Sequence, residues 1–318
     1  MGNFFKTLFS SSQEVDAAEE KEKNDRKNFE LFKYDGIRAQ QMHRTEYAIK
    51  CYLKALSIQE DFETLNHLAT AYIANHELEE ALEALNRMIA LDPEHTAPLF
   101  TRINVLFMLD REEEAIKDCM RVIESDASNP IAWFLMGRAK KQAGDLSGAI
   151  AALTSAIELK DDFTSAYLLR AEALLAANQL PEALSDTEKA LSLEAEEESA
   201  YLVKGRVHEA MGDLPAATAD YEKALELNPF NEEASLHLGA ILTAEGKTDE
   251  AIRFFDELIE LKPEWADAYR ERSKAKRQKG DDKGAQEDLR IAAGLDPESE
   301  EGEKEEAHFD DLYKGGIF

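Results

Sequence analysis

The sequence predicts an all-α solenoid built from about eight tandem helix–turn–helix repeats. A single alanine returns at a nearly fixed interval, which is 33 residues once and then 34 residues six times. A period of about 20–50 residues is typical of repeat architectures. At a second recurring position of the repeat stand residues that tolerate a left-handed backbone conformation, which commonly ends a helix. Apolar residues recur at helical spacing, and no stretch shows the sustained alternation of a strand.

The recurrent alanine marks the second helix of each repeat. Core residues follow it four and seven positions later, so the three share one helical face. Proline stands twelve positions after it in four repeats, where it ends the helix and turns the chain. The alanines are Ala48, Ala81, Ala115, Ala149, Ala183, Ala217, Ala251 and Ala285.

The first helix of each repeat combines a large column with a small one. The large residue stands sixteen positions before the alanine and the small one twelve before it, so both lie on one face. A large ring that fills a small notch lets two helices approach closely. Ile103 breaks the small column, which predicts that the third repeat is wider or packed differently. The small column reads Gly36, Ala69, Ile103, Gly137, Ala171, Gly205, Gly239 and Ser273.

The turn between the two helices is predicted five positions before the alanine. Every residue there is of a type that tolerates a left-handed backbone conformation. Most other residue types adopt that conformation only at a cost in free energy. His43 and His76 are therefore interpreted as turn residues rather than as metal ligands. The column reads His43, His76, Asp110, Gly144, Asn178, Gly212, Gly246 and Gly280.

These columns divide the chain into three regions. Residues 1–28 form an apolar head and a polar linker, and residues 300–318 form an acidic tail. We interpret the tail as a short capping helix or a recognition tail. The repeats between them are predicted at 29–61, 62–95, 96–129, 130–163, 164–197, 198–231, 232–265 and 266–299.

Composition and motifs exclude several classes of function. The net charge of −29, from 37 basic and 66 acidic residues, opposes binding to nucleic acid or to anionic membrane surfaces. There is no P-loop, HExxH or CxxC motif, so we predict no catalytic, cofactor-binding or metal-binding residues and no enzyme. Two cysteines, Cys51 and Cys119, are too few for a disulfide scaffold and indicate a cytoplasmic protein. No apolar stretch is long enough to span a membrane.

The columns resemble the tetratricopeptide repeat family, a 34-residue helix–turn–helix pattern. The best match is repeat 198–231, and the resemblance covers 271 of the 318 residues. It implies a right-handed superhelix whose first helices line a concave groove that binds a partner peptide or helix. The matching residues of that repeat are Tyr201, Gly205, Gly212, Ala217, Tyr221, Ala224 and Pro229.

The stripe one residue beyond the core stripe of the first helices is predicted to face this groove. It lies fifteen, eleven and eight positions before the alanine, and we call it the first-helix face. In the middle repeats it presents an apolar row with charged and polar neighbours, which equally fits packing against the next repeat. The predicted groove residues of these repeats are Phe100, Asn104, Phe107, Phe134, Arg138, Leu168, Glu172, Leu202, Arg206 and Leu236.

The first helix of the last repeat is conspicuously basic for so acidic a chain. Arg270, Lys274 and Arg277 stand at i, i+4 and i+7 on the first-helix face. One interpretation is that they bind an acidic peptide or a carboxyl-terminal segment of a partner. The alternative is that they neutralise the acidic tail of this chain. Some family members hold carboxyl-terminal tails in a clamp of basic residues and asparagine. Here only Lys33 matches it, and Ile37 replaces the asparagine, so we do not predict that clamp.

The leading hypothesis is a non-enzymatic scaffold or adaptor that binds a protein segment in its groove. A rival of another class is a regulator that docks on a membrane or a large assembly through its phenylalanine-rich N-terminal segment. A third possibility is an accessory subunit of an enzyme complex. The sequence does not name the partner or the oligomeric state.

Overall fold

The regular structure of the chain is helical. The computed structural model describes the backbone of residues 2–297 and the side chains of residues 19–297. Within those residues there are sixteen helices and no strand, as predicted. The tail predicted at 300–318 lies outside the described residues, as do the side chains of the apolar head. The first eight helices are α1 (Gly2–Gln41), α2 (Thr45–Leu56), α3 (Phe62–Ala74), α4 (Leu78–Leu91), α5 (Ala97–Met108), α6 (Glu112–Ser125), α7 (Pro130–Gln142) and α8 (Leu146–Leu159).

The other eight helices continue the same pattern of a first helix, a tight turn and a second helix. Each second helix contacts the first helix of its own repeat. The chain divides into two compact bodies between Asp161 and Asp162. We call the body with α1–α8 the N-terminal body and the body with α9–α16 the C-terminal body. The later helices are α9 (Thr164–Ala176), α10 (Leu180–Leu193), α11 (Glu198–Met211), α12 (Leu214–Leu227), α13 (Glu232–Ala244), α14 (Thr248–Leu261), α15 (Ala266–Lys279) and α16 (Asp282–Leu295).

Helix α1 differs from the sequence interpretation. One continuous helix extends from Gly2 to Gln41, so the boundary predicted at residue 28 does not coincide with a helix end. The segment read as a polar linker, residues 16–28, contains neither glycine nor proline. It is rich in alanine, glutamate, lysine and arginine, which are strong helix formers. This composition explains why the helix continues through it.

The predicted turn column is confirmed in all eight repeats. Every residue of that column has a positive φ, including the four that are not glycine. The next residue caps the second helix in several repeats. Asp145, Asp213 and Asp281 each accept a hydrogen bond from the backbone N–H three positions later, which satisfies a donor that the helix leaves open.

The two helices of a repeat meet at the recurrent alanine and at a matched pair of larger and smaller residues. All eight alanines are fully buried. The notch of the first helix is filled from the second helix, by the residue four positions after the alanine, and not by the large residue of its own helix. A Cβ on Gly205 would lie 2.6 Å from Cε1 of Tyr221, and one on Gly239 would lie 2.1 Å from Cζ of Phe255.

The exception at Ile103 is explained by the same pairing. Its counterpart on the second helix is Cys119, and both side chains are fully buried. Where the first helix has glycine, the counterpart is Tyr52, Leu153, Tyr221 or Phe255. The larger residue has therefore moved from one helix to the other, and the summed volume is kept. Of the two alternatives that the sequence left open for repeat 3, a wider repeat or a differently packed one, the structure shows the second.

A buried ion pair joins the two helices in four of the repeats. A basic residue thirteen positions before the alanine contacts an aspartate three positions after it. Nε of Arg102 lies 2.7 Å from Asp118, and the guanidinium of Arg170 lies 2.7 Å from Asp186. Lys204 with Asp220 and Arg272 with Asp288 repeat the arrangement. Repeats 2, 4 and 7 have apolar pairs at these positions, such as Leu68 with Ala84 in repeat 2.

Candidate partner-binding surface

The first-helix face of the N-terminal body is aromatic and partly exposed. On α5, Phe100 is half-buried, Asn104 is exposed and Phe107 is buried with 6% of its surface accessible. On α7, Phe134 is half-buried and Arg138 is exposed. The structure brings these two helices together through contact between Arg138 and Phe107. All five predicted residues of this body therefore lie on or directly beneath one surface.

Arg138 is held by an aromatic ring. The central carbon of its guanidinium lies 4.3 Å from the centroid of the Phe107 ring, within the range of an attractive cation–π contact. Among the described residues, no carboxylate forms an ion pair with Arg138. The edge of the guanidinium therefore keeps hydrogen-bond donors that point away from the ring.

The first-helix face of α3, α5 and α7 contains no acidic residue. Its nine side chains are apolar, amide, hydroxyl or basic, whereas composition alone would place about two acids among nine positions. Helices α5 and α7 contain no acidic residue at all. The nine side chains are Asn66, Thr70, Ile73, Phe100, Asn104, Phe107, Phe134, Arg138 and Lys141.

The first-helix face of the C-terminal body is aliphatic and charged. Leu168, Leu202 and Leu236 are half-buried. Leu202 packs beside the buried cluster around Tyr221, and Leu236 packs beside the cluster around Phe255. Glu172 is also half-buried. The predicted aliphatic row is therefore present, with each leucine partly covered by the core and partly accessible.

The charges of this face are largely satisfied within the fold. Arg206 lies 3.4 Å from Glu233, and Nδ1 of His237 lies 2.8 Å from Glu209. The Tyr221 hydroxyl donates a hydrogen bond of 2.8 Å to Glu209. The hydrogen bond with His237 lowers the pKa of Glu209 below its ordinary value, although burial opposes this. Burial, and then the bond to Glu209, raise the pKa of Tyr221.

This network was missed in the sequence, although the repeat register carries a signal for it. His237 stacks on Tyr221 with ring centroids 5.1 Å apart. In the N-terminal body, His67 stacks on Tyr52 at 5.7 Å. The two histidines occupy the same repeat position, as do the two tyrosines. A search for paired columns, instead of single residues, would have found both clusters.

The basic helix α15 does not present its charges as the sequence suggested. Arg270 is buried, with 5% of its surface accessible, and its guanidinium lies 2.8 Å from Asp267 and 3.5 Å from Asp296. Lys274 is exposed and lies 2.7 Å from Glu271. Arg277 is exposed. The expectation that Arg270 meets a partner is therefore corrected, because its side chain is buried and its guanidinium contacts two acids of the fold.

Lys33, at the same repeat position in the first repeat, is also turned inward. Its amino group lies 3.0 Å from Asp61 and 2.6 Å from Glu63. Burial by itself lowers the pKa of Lys33, but the bonds to Glu63 and Asp61 outweigh that effect and raise it. The two end repeats therefore use this position for internal ion pairs.

The described part of the chain contains no group of three or more histidine, cysteine or acidic residues arranged to hold a metal ion. It also contains no helix with the length and hydropathy needed to cross a membrane. An apolar cleft of about 440 Å³ lies between α6, α7 and α8 and is lined by Met120, Ile123 and Trp133 among others.

Tandem helical hairpins with an ordered row of partly exposed side chains define a helical repeat protein. The chain belongs to the tetratricopeptide repeat family, because the family's sequence model matches residues 67–130, 134–195 and 202–268. Proteins of this family generally act as protein–protein interaction modules. No protein with a curated description matches the chain in sequence.

Solved structures of similar fold come from several sources. A tetratricopeptide repeat protein from Parabacteroides merdae is 15% identical with a TM-score of 0.63, over 76% of this chain and 96% of that one. A chain of the APC/C hetero-tetramer Cut9-Hcn1 is 15% identical with a TM-score of 0.58, over 82% of this chain and 51% of that one. The pilF protein of Pseudomonas aeruginosa is 19% identical with a TM-score of 0.51, over 66% of this chain and 96% of that one. At these identities the likeness concerns the fold alone.

Proposed function

We propose that the protein is a non-enzymatic scaffold that binds a segment of another protein along its first-helix face. The observation that carries this proposal is the row of large apolar side chains that remain only half-buried there. Phe100 and Phe134 form the row in the N-terminal body, and three leucines form it in the C-terminal body. Apolar groups bordered by polar ones are typical of protein interaction surfaces.

The arrangement of side chains suits binding better than catalysis. On the C-terminal body, the acidic and basic groups that could move protons are held by one another, as in the contact of His237 with Glu209. The surface offers apolar contact area and hydrogen-bonding groups in a regular register, which matches an extended or helical segment. We also propose a cytoplasmic location, which the two free and buried cysteines support.

Site-specific photo-crosslinking tests the proposal. A photoreactive amino acid is placed at Asn104 or Ala240 on the first-helix face, and cells are irradiated. We expect crosslinks to a shared partner from both positions. Matched controls carry the same amino acid at Arg121 or Ala219, which are exposed on the second helices α6 and α12. Crosslinks that form equally well from the control positions, or only from them, would refute the proposed surface.

A further inference from the structure

The first-helix face of α3, α5 and α7 differs in charge from the rest of this acidic protein. The chain has 66 acidic and 37 basic residues, yet this surface has two basic side chains, Arg138 and Lys141, and no acidic one. An acidic ligand on this surface would therefore meet no carboxylate within the surface itself. Like charges placed opposite each other would otherwise reduce its affinity.

Arg138 is the charged group that is positioned to contact a ligand. Its guanidinium is stacked on Phe107 at 4.3 Å, and Phe107 is itself fixed in the core by burial. A stacked guanidinium is already restricted before binding, so it loses little further freedom when it donates two parallel hydrogen bonds to a carboxylate.

The neighbours of Arg138 specify what the rest of the ligand must offer. Phe100 and Phe134 are half-buried and present ring surface to apolar side chains. Asn66 and Asn104 are exposed, and their amides can both donate to and accept from a peptide main chain. A ligand that satisfies all three kinds of group is an extended peptide with acidic and apolar side chains.

Three other basic residues of the first-helix face are already engaged by acids of the fold. Lys33 bonds with Asp61 and Glu63, and Arg206 contacts Glu233. Arg270 is buried against two aspartates. A ligand carboxylate would have to displace an existing partner at each of these. Arg138 requires no such exchange.

We propose that the first-helix face of α3, α5 and α7 is the docking site for an extended acidic peptide segment of a partner protein, with aromatic or aliphatic side chains beside its acids. Arg138 receives a carboxylate of that segment, and the two phenylalanine rings receive its apolar side chains. This inference rests on the proposed function and names the partner chemistry for one part of that surface.

A peptide selection tests the inference and separates it from the proposed function. A random library of displayed twelve-residue peptides is selected against the whole protein, and the recovered peptides are synthesised with a fluorescent label. We expect them to combine Asp or Glu with aromatic or aliphatic residues. Their dissociation constants, measured by fluorescence anisotropy, are expected to rise by about tenfold or more in Arg138→Gln. Arg138→Glu should bind them more weakly still.

The matched control is Arg121→Gln, which removes one exposed arginine from the second helix α6 of the same body and should leave affinity unchanged. Replacing the acids of a recovered peptide by lysine should restore its binding to Arg138→Glu. Circular dichroism confirms that both Arg138 variants are folded. Recovered peptides that are not acidic, or whose affinity is the same for Arg138→Gln as for the wild type, overturn this inference but leave the proposed function standing. Peptides that bind undiminished when Asn104 and Ala240 are both changed to tryptophan, which adds bulk without charge, contradict the proposed function.

Discussion

The packing of Tyr221 against Gly205 gives a quantitative prediction about stability. In Gly205→Ala, the new methyl group would start 2.6 Å from Cε1 of the ring, whereas ordinary contact begins at 3.4 Å. The ring or the helix must therefore shift by about 0.8 Å, since 3.4 minus 2.6 is 0.8. Overpacking of this kind costs about 1–3 kcal/mol. Alanine regains about 1 kcal/mol through its better helix propensity, which leaves a net loss of up to about 2 kcal/mol.

A matched control carries the same chemical change at an open position. Gly294 is also inside a helix, α16, and nothing lies within 4 Å of the place where its Cβ would be. Gly294→Ala should therefore stabilise the protein by up to about 1 kcal/mol. Urea denaturation followed by far-ultraviolet circular dichroism measures both variants. A Gly205→Ala protein that gains as much stability as Gly294→Ala would refute the packing argument.

A second substitution tests the volume exchange between the helices. Repeat 2 has Ala69 and Leu85 at the positions of Gly205 and Tyr221, and both are fully buried. In Gly205→Ala with Tyr221→Leu, the smaller side chain accommodates the added methyl group. We therefore expect the double variant to lose at least about 1 kcal/mol less than the sum of the single losses. Simple additivity would show that the two positions do not share a volume.

Two further predictions concern buried charge. Asp118→Ala leaves Arg102 without its buried partner and should cost about 3–5 kcal/mol of folding stability. The double variant Arg102→Leu with Asp118→Ala should recover most of that loss, because repeat 2 has a leucine–alanine pair at these positions. A double variant that is as unstable in urea as the single one would contradict this prediction. For Glu209, the lowered pKa means that its ionised form favours the folded state, so its contribution is fully present above its ordinary pKa of 4.5 and declines as the pH falls below it. The stability gap between wild type and Glu209→Gln should accordingly narrow as the pH falls below 4.5, and a constant gap would contradict the assignment.

The backbone of the repeats could be predicted from the sequence because its determinants are local. A left-handed turn residue restricts one position to a few residue types, and eight such positions at a fixed spacing set the register of every hairpin. The fully buried alanines follow from the same register. Side-chain volume is shared between two helices sixteen positions apart, so the exchange of Ile103 with Cys119 becomes visible only when both columns are compared.

The orientation of individual charges could not be predicted in the same way. Arg270 belongs to a surface stripe by its spacing, but one of its two aspartate partners, Asp296, lies 26 positions further along the chain. In the middle repeats the same position holds a half-buried phenylalanine or leucine, so an arginine there is drawn partly inward. Whether a cation faces a partner depends on such distant acids, which a helical stripe does not reveal.

The overall charge of the protein bears on how selective the surface at Arg138 can be. A net charge of −29 repels an acidic peptide at long range, although salt at physiological concentration screens this beyond about 8 Å. The attraction of one guanidinium acts only at contact, where a charge-assisted hydrogen bond contributes about 1.5–3 kcal/mol. That gain alone does not make a stable complex, because association also costs translational and rotational freedom. The rings of Phe100 and Phe134 must supply the remainder through apolar contact, so the surface favours acidic segments with apolar side chains over segments that are merely acidic.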